Sequence, residues 1–264
     1  MKRREFVVRS AVGSVALGAG NLRLSTLKAE AAAPAATRKI LIAGGRFSTQ
    51  FIRYMATLTG KERPKLLFLP TASADSQSNI IAWFRSCAPL EVEPSAQESF
   101  IGSGRQSKGW DEVLLSVDGI VCSGGNTLNQ QAIWRAQGID QVLREAWNRG
   151  IVLGGASAGS LCWFEEGTTD SRPKELTTVQ CLGFIKGSHS AHYDSEPGRR
   201  PLYLRLIGSG QMKPGYACDD EAGIYFEDNE VRRVVKTRAE ARVHYVSSVG
   251  GQVVEKLLEA ELIS

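Results

Sequence analysis

Four short apolar runs limit this chain to a few architectures, because each is closed by a glycine-rich or small polar turn and the first three are followed by helix-length segments. Lys39-Ile40-Leu41-Ile42-Ala43 ends at Gly44-Gly45, and Lys65-Leu66-Leu67-Phe68-Leu69 ends at Pro70 and Thr71-Ala72-Ser73. Gly119-Ile120-Val121-Cys122 ends at Ser123-Gly124-Gly125-Asn126, and Ile151-Val152-Leu153-Gly154 runs into Gly155-Ala156-Ser157-Ala158-Gly159. Runs without polar alternation are strands covered on both faces. Helical spacing follows over residues 49–58, 76–88 (with Ser76 placed to cap it), 127–136 and 139–148, with a short helix at 111–116 and a further strand at 90–94. This order predicts an α/β fold with a doubly wound, mostly parallel sheet, whose functional groups gather at the carboxyl ends of the strands.

The last third reads differently. Residues 165–200 are polar and rich in loop formers, 201–207 have the pattern of a helix, and 224–226 with 231–235 form a hairpin turning at Asp228-Asn229-Glu230. No internal repeat appears. The 264 residues are enough for one large α/β domain, and 42% hydrophobic with 23% charged residues is ordinary globular composition. Residues 37–264 are read as a single domain.

The excess of positive charge is local. Before residue 34, Lys2, Arg3, Arg4, Arg9, Arg23 and Lys28 stand against Glu5 and Glu30, a net +4 that equals that of the whole chain. The body is therefore neutral, which argues against nucleic acid as a partner. Lys2-Arg3-Arg4-Glu5-Phe6-Val7-Val8, the weakly apolar stretch 11–20 and the Ala-rich tract 29–36 are similar to a twin-arginine export signal with A-x-A cleavage sites, giving a signal and linker over 1–36 and a periplasmic or extracellular product. No apolar run approaches the ~20 residues that span a bilayer. Cys87, Cys122, Cys162, Cys181 and Cys218 lack paired or metal-like spacing and read as buried free thiols; three histidines and scattered carboxylates imply no metal site and no cofactor.

Gly155-Ala156-Ser157-Ala158-Gly159 sits between a buried strand and the apolar stretch 161–164, the setting of a nucleophile elbow. Small neighbours let the turn lift the Ser157 hydroxyl clear of the sheet and aim the Ala158 N–H at a developing oxyanion. The hydroxyl needs a base, and the choices are His189, His192 and His244; His244 lies in strand-like Ala241-Arg242-Val243-His244-Tyr245, where a structural role fits better. The base needs an acidic orienter, from Asp194, Asp219, Asp220 and Glu221. Gly125, in the Ser123-Gly124-Gly125-Asn126-Thr127 turn, is placed to give a second oxyanion N–H.

Together these residues resemble the serine peptidases that include aspartyl dipeptidase (peptidase E) and cyanophycinase. The likeness runs over residues 38–245 through Gly124-Gly125-Asn126, Gly155-Ala156-Ser157-Ala158-Gly159, Ala191-His192-Tyr193 and Asp220-Glu221-Ala222-Gly223. It implies a class I glutamine amidotransferase-like, flavodoxin-like sandwich and a Ser-His-Glu triad. Ser157 would be nucleophile, His192 base and then acid, and Glu221 the orienting carboxylate, with Gly125 and Ala158 forming the oxyanion hole. A small peptide would be cleaved through an acyl-enzyme, and the family suggests a homodimer. Asn126, Asp170, Arg199 and Arg200 are candidate substrate contacts, with Arg205 nearby. The segment after His192 departs from both named members, so aspartyl selectivity does not carry over. Two rival readings are an α/β-hydrolase esterase using Ser157, Asp219 or Asp220, and His244, and a non-catalytic binder of a small anion.

Overall fold

The computed structural model describes residues 36–264; the export-signal reading lies outside the described residues. β1 (Lys39–Ala43), α1 (Thr49–Leu58), β2 (Lys65–Leu69), α2 (Gln77–Cys87), β3 (Glu93–Ala96), α3 (Trp110–Leu114) and β4 (Gly119–Cys122) form the first half. α4 (Thr127–Gln137), α5 (Ile139–Asn148), β5 (Val152–Ala156) and the single-turn α6 (Ala158–Leu161) complete the parallel core. Its strands run in the order β1-β5-β4-β2-β3, all parallel.

Alternate side chains of these strands feed two cores. Ile40, Ile42, Leu67, Leu69, Ile120 and Leu153 pack with Trp134, Trp147 and Trp163 on the α4–α5 side. Leu41, Leu66, Phe68, Val121 and Val152 pack with Phe51, Ile52, Met55 and Trp83 on the α1–α2 side. Burial on both faces is why these strands read as continuous apolar runs. The expected strand at 90–94 begins later, at Glu93, because Val92 packs inward before Glu93 pairs with Lys65. Pro94 is tolerated there because β3 is an edge strand.

The polar third builds a second sheet that sequence periodicity does not announce. It uses β6 (Glu166–Thr169), β7 (Thr177–Gln180) and β8 (Ser188–Ser190), followed by α7 (Arg199–Gly208) and β9 (Gly215–Cys218). β10 (Ala222–Glu227) and β11 (Glu230–Lys236) are the expected hairpin, and β10 lies antiparallel to β1, extending the first sheet. β12 (Val243–Val249) and β13 (Gln252–Leu258) return to the second sheet, ordered β13-β12-β9-β8-β6-β7, while β14 (Glu261–Leu262) caps the first beyond β11. The fold is α/β and flavodoxin-like in its parallel core, as expected, with this second sheet added. Among the described residues no helix is long and apolar enough to cross a membrane, and all five cysteines are free.

Candidate active site

At the carboxyl end of β5 the chain turns sharply into α6. Ser157 takes φ 56° and ψ −121°, a backbone state that costs a non-glycine residue about 1–3 kcal/mol and persists only where the surroundings impose it. Close packing imposes it here, since a Cβ at Gly159 would lie 2.1 Å from the Cys122 carbonyl oxygen. The small residues of the motif are thus a steric requirement of seating the turn against β4.

Ser157 Oγ lies 2.9 Å from His192 Nε2, and His192 Nδ1 lies 2.8 Å from Asp220 Oδ1. A carboxylate accepts only, so Nδ1–H donates to Asp220 and Nε2 is left to accept the serine proton. His192 follows β8 and itself has φ 53°. Of the three expected members, the structure brings Ser157 and His192 together and places Asp220, not Glu221, against the imidazole. Glu221 does not reach His192; its Oε2 accepts from Arg238 Nε at 3.0 Å. The cause is the turn between β9 and β10, where Glu221 adopts φ 65° and points its side chain away while Asp220 faces the imidazole. The backbone of Asp220 is fixed on both sides, its N–H donating to Asp194 Oδ1 (2.8 Å) and its carbonyl accepting from Arg238 Nη2 (3.2 Å). Asp219 turns elsewhere, accepting the Arg242 N–H at 2.9 Å, and burial pushes its carboxyl up to about 6.

The other histidines are not at Ser157. His244 sits on β12 beside Tyr193, with ring centroids 5.8 Å apart, so the hydroxyl–imidazole bond of the esterase reading is absent. His189 is fully buried in β8, stacked on Phe164 with ring centroids 4.9 Å apart. Its Nδ1–H donates to the Tyr216 carbonyl at 2.9 Å. The Ser160 hydroxyl lies 3.0 Å from its Nε2 and 2.7 Å from the Ser157 carbonyl. Burial pushes the imidazole down to about 4. A depressed folded-state value means stability is present above the unfolded value near 6.5 and is lost as pH falls toward the folded one. We expect the wild type to lose roughly 3 kcal/mol more than His189→Gln between pH 7.5 and 4, read from urea midpoints at each pH; equal losses would show that His189 does not titrate in this window.

Gly125, Ala158, Asp170 and Arg199 line one small cavity with Ser157. Arg199 is buried and already bonded to Glu196 Oε2 (2.6 Å) and the Thr168 carbonyl (2.8 Å), with Asp170 Oδ1 3.3 Å away. Two further candidate contacts have partners elsewhere. Arg200 leaves the site, because Glu255 draws it away with bonds of 2.7 and 3.1 Å. The Asn126 side chain caps α4 by accepting the Asn129 N–H (2.9 Å) and donates to the Ser171 carbonyl (3.1 Å). A cavity of about 500 Å³ at the β3 edge, among Phe84, Gln97 and Arg105, touches none of these groups. Among the described residues, no group of three or more His, Cys, Asp or Glu is placed to hold a metal ion.

A strained serine atop a parallel sheet, bonded to a carboxylate-bound histidine, is the arrangement of a serine hydrolase. Residues 40–234 match Peptidase family S51, and the chain belongs to that family of serine peptidases. It is 37% identical over 221 residues to the uncharacterized peptidase YgaJ of Bacillus subtilis (strain 168), a match covering 82% of this chain and 94% of that protein. Among solved structures it is similar to a peptidase from an acI-B1 Actinobacterium, with TM-score 0.66 and 16% identity over 86% of this chain and 96% of that one. It is also similar to a protein of Listeria monocytogenes EGD-e described as a peptidase E, with TM-score 0.56 and 16% identity over 85% of this chain and 100% of that one.

Proposed function

We propose that this protein hydrolyses the peptide bonds of small peptides by two-step acyl transfer, with Ser157 as nucleophile, His192 as base and then acid, and Asp220 as orienting carboxylate. The observation that carries the reading is the unbroken chain from Ser157 Oγ through His192 to Asp220 Oδ1, with steps of 2.9 and 2.8 Å. Ser157 attacks the carbonyl carbon as His192 Nε2 takes the hydroxyl proton. The Gly125 and Ala158 N–H groups receive the oxyanion. His192 returns the proton to the leaving amine, the C–N bond breaks, and water then releases the acyl group from Ser157 by the same steps.

Asp170, whose side chain is 62% exposed, is the group offered to a substrate's amino end, while Arg199 shapes the floor of that cavity. Glu196 and Asp170 already meet the charge of Arg199, so an acidic side chain would have to compete with them. Aspartyl selectivity is therefore not part of the proposal. A fluorophosphonate probe tests the core of it: we expect one label per chain, mapped to the peptide containing Ser157 and absent in His192→Ala. A folded protein that takes no label would sink the reading.

A further inference from the structure

A second cavity lies on the α1–α2 side of the sheet, lined in part by Ser123, Gly124 and Ala156, the residue before Ser157. About 400 Å³ in volume, it is lined by Phe47, Phe68, Trp83, Ser123 and Gly124, with Arg46 among the lining residues. That is the size of a small-ligand site. Gly124 is the link between this space and the nucleophile, because a Cβ there would stand 3.6 Å from Ser157 Oγ. With only hydrogen at that position, Gly124 puts no side chain between this cavity and the reacting hydroxyl.

One wall is aromatic, while Asn79 and Ser86 make another part of the lining polar. Phe68 and Trp83 stack with ring centroids 5.4 Å apart and planes 12° from parallel. The Trp83 indole N–H is spent on the Ser95 carbonyl at 3.0 Å, so the ring offers the cavity no donor. Val121 and Ala156 complete the lining near β4 and β5.

Two polar features point to an occupant. The Ser123 hydroxyl, on a residue only 3% exposed, has no hydrogen-bond partner among the described residues. A buried hydroxyl left unmet is costly, and turning it toward the cavity would let a ligand polar group meet it. Arg46 is exposed at the cavity and has no carboxylate within 4.0 Å among the described residues. The acidic group at the site, Asp170, lines the other cavity. This layout gives the substrate a direction: its ammonium end lies toward Asp170 and its carboxylate end toward Arg46.

We propose that this cavity holds the apolar or aromatic side chain of the residue bearing the substrate's free carboxylate, and that Arg46 pairs with that carboxylate. The substrate class is then a dipeptide ending in a residue such as Phe or Leu. The proposal rests on the peptidase reading and deepens it.

The test uses the full chain with a dipeptide library varied at both positions, alongside the C-terminal amides. We expect kcat/KM for Phe or Leu at the second position to exceed that for Gly at least about tenfold. Ala82→Phe, at an exposed α2 position on the cavity wall, is expected to cut that preference ratio at least about tenfold by filling the space. Arg46→Gln is expected to raise KM about tenfold for the free acids and to leave the acid and its amide equal. Fluorophosphonate labelling of the wild type separates the two levels. No label at Ser157 sinks the peptidase reading and this proposal with it. Label with a flat second-position profile, with no dipeptide cleaved, with a preference ratio unmoved by Ala82→Phe, or with Arg46→Gln acting alike on acids and amides overturns the cavity assignment alone.

Discussion

Ser157→Ala is expected to lower kcat on any cleaved dipeptide by about 10⁴–10⁶-fold, with KM changed little. Only the oxygen is removed, so the two backbone donors and both cavities remain to bind the peptide. What remains is the rate those groups supply without a covalent step, about 10³-fold over water. The elbow adds a second readout. Ser157 holds φ 56° with a Cβ in place, and alanine keeps that strain. Glycine relieves it, so Ser157→Gly should lose as much activity while raising Tm, by an amount worth about 1 kcal/mol. Matched activities with Tm higher in the glycine variant would show strain held at the nucleophile. Near-normal turnover in either variant would remove Ser157 from the mechanism.

The parallel core was legible because its strands are buried on both faces, and such burial leaves its mark as apolar residues at every position. Ile40, Leu41 and Ile42 go alternately to two cores, and all three had to be apolar. The second sheet leaves no such mark. β6 and β8 are short and polar, yet Thr168, Thr169, Ser188, His189 and Ser190 are buried. Hydroxyls satisfy them instead, as in the 2.8 Å bond between Thr168 Oγ1 and Ser190 Oγ, and the 2.7 Å bond between Ser188 Oγ and Tyr203 Oη. A strand whose inward groups are hydroxyls looks like a loop to any reading based on apolar alternation. The tertiary partner is needed to see it.

The site was legible to a similar degree. Ser157 lies in a motif whose small residues have a steric cause, and His192 is the one histidine of the three that lies in a segment the family resemblance singles out. The carboxylate was different, because Asp219, Asp220 and Glu221 are consecutive and each could orient an imidazole. Which one does so depends on the left-handed turn at Glu221 and on a distant contact. A Cβ at Gly45 would stand 2.3 Å from Asp220 Oδ1, so the glycine after β1 vacates the space the carboxylate fills. The Gly44-Gly45 pair was visible in the sequence, but what it makes room for was not.

That turn gives the sharpest contrast between neighbouring residues. Asp220→Asn is expected to lower kcat by about 10⁴-fold, because the amide can present N–H to Nδ1 and drive the ring to the tautomer with its proton on Nε2. Nε2–H then faces Ser157 Oγ, with no lone pair to accept the hydroxyl proton. Glu221→Gln removes only the partner of Arg238 Nε, and Arg238 keeps its 2.6 Å bond to Asp194 Oδ2. Both side chains of that pair are more than a third exposed, at 49% and 37%. Its loss should therefore change stability by under about 1 kcal/mol and kcat by only a few-fold. Measuring kcat and Tm for the two variants on one substrate decides the assignment. A collapse of kcat in Glu221→Gln with Asp220→Asn nearly unchanged would return the role to Glu221 and require the β9–β10 turn to rearrange when substrate binds.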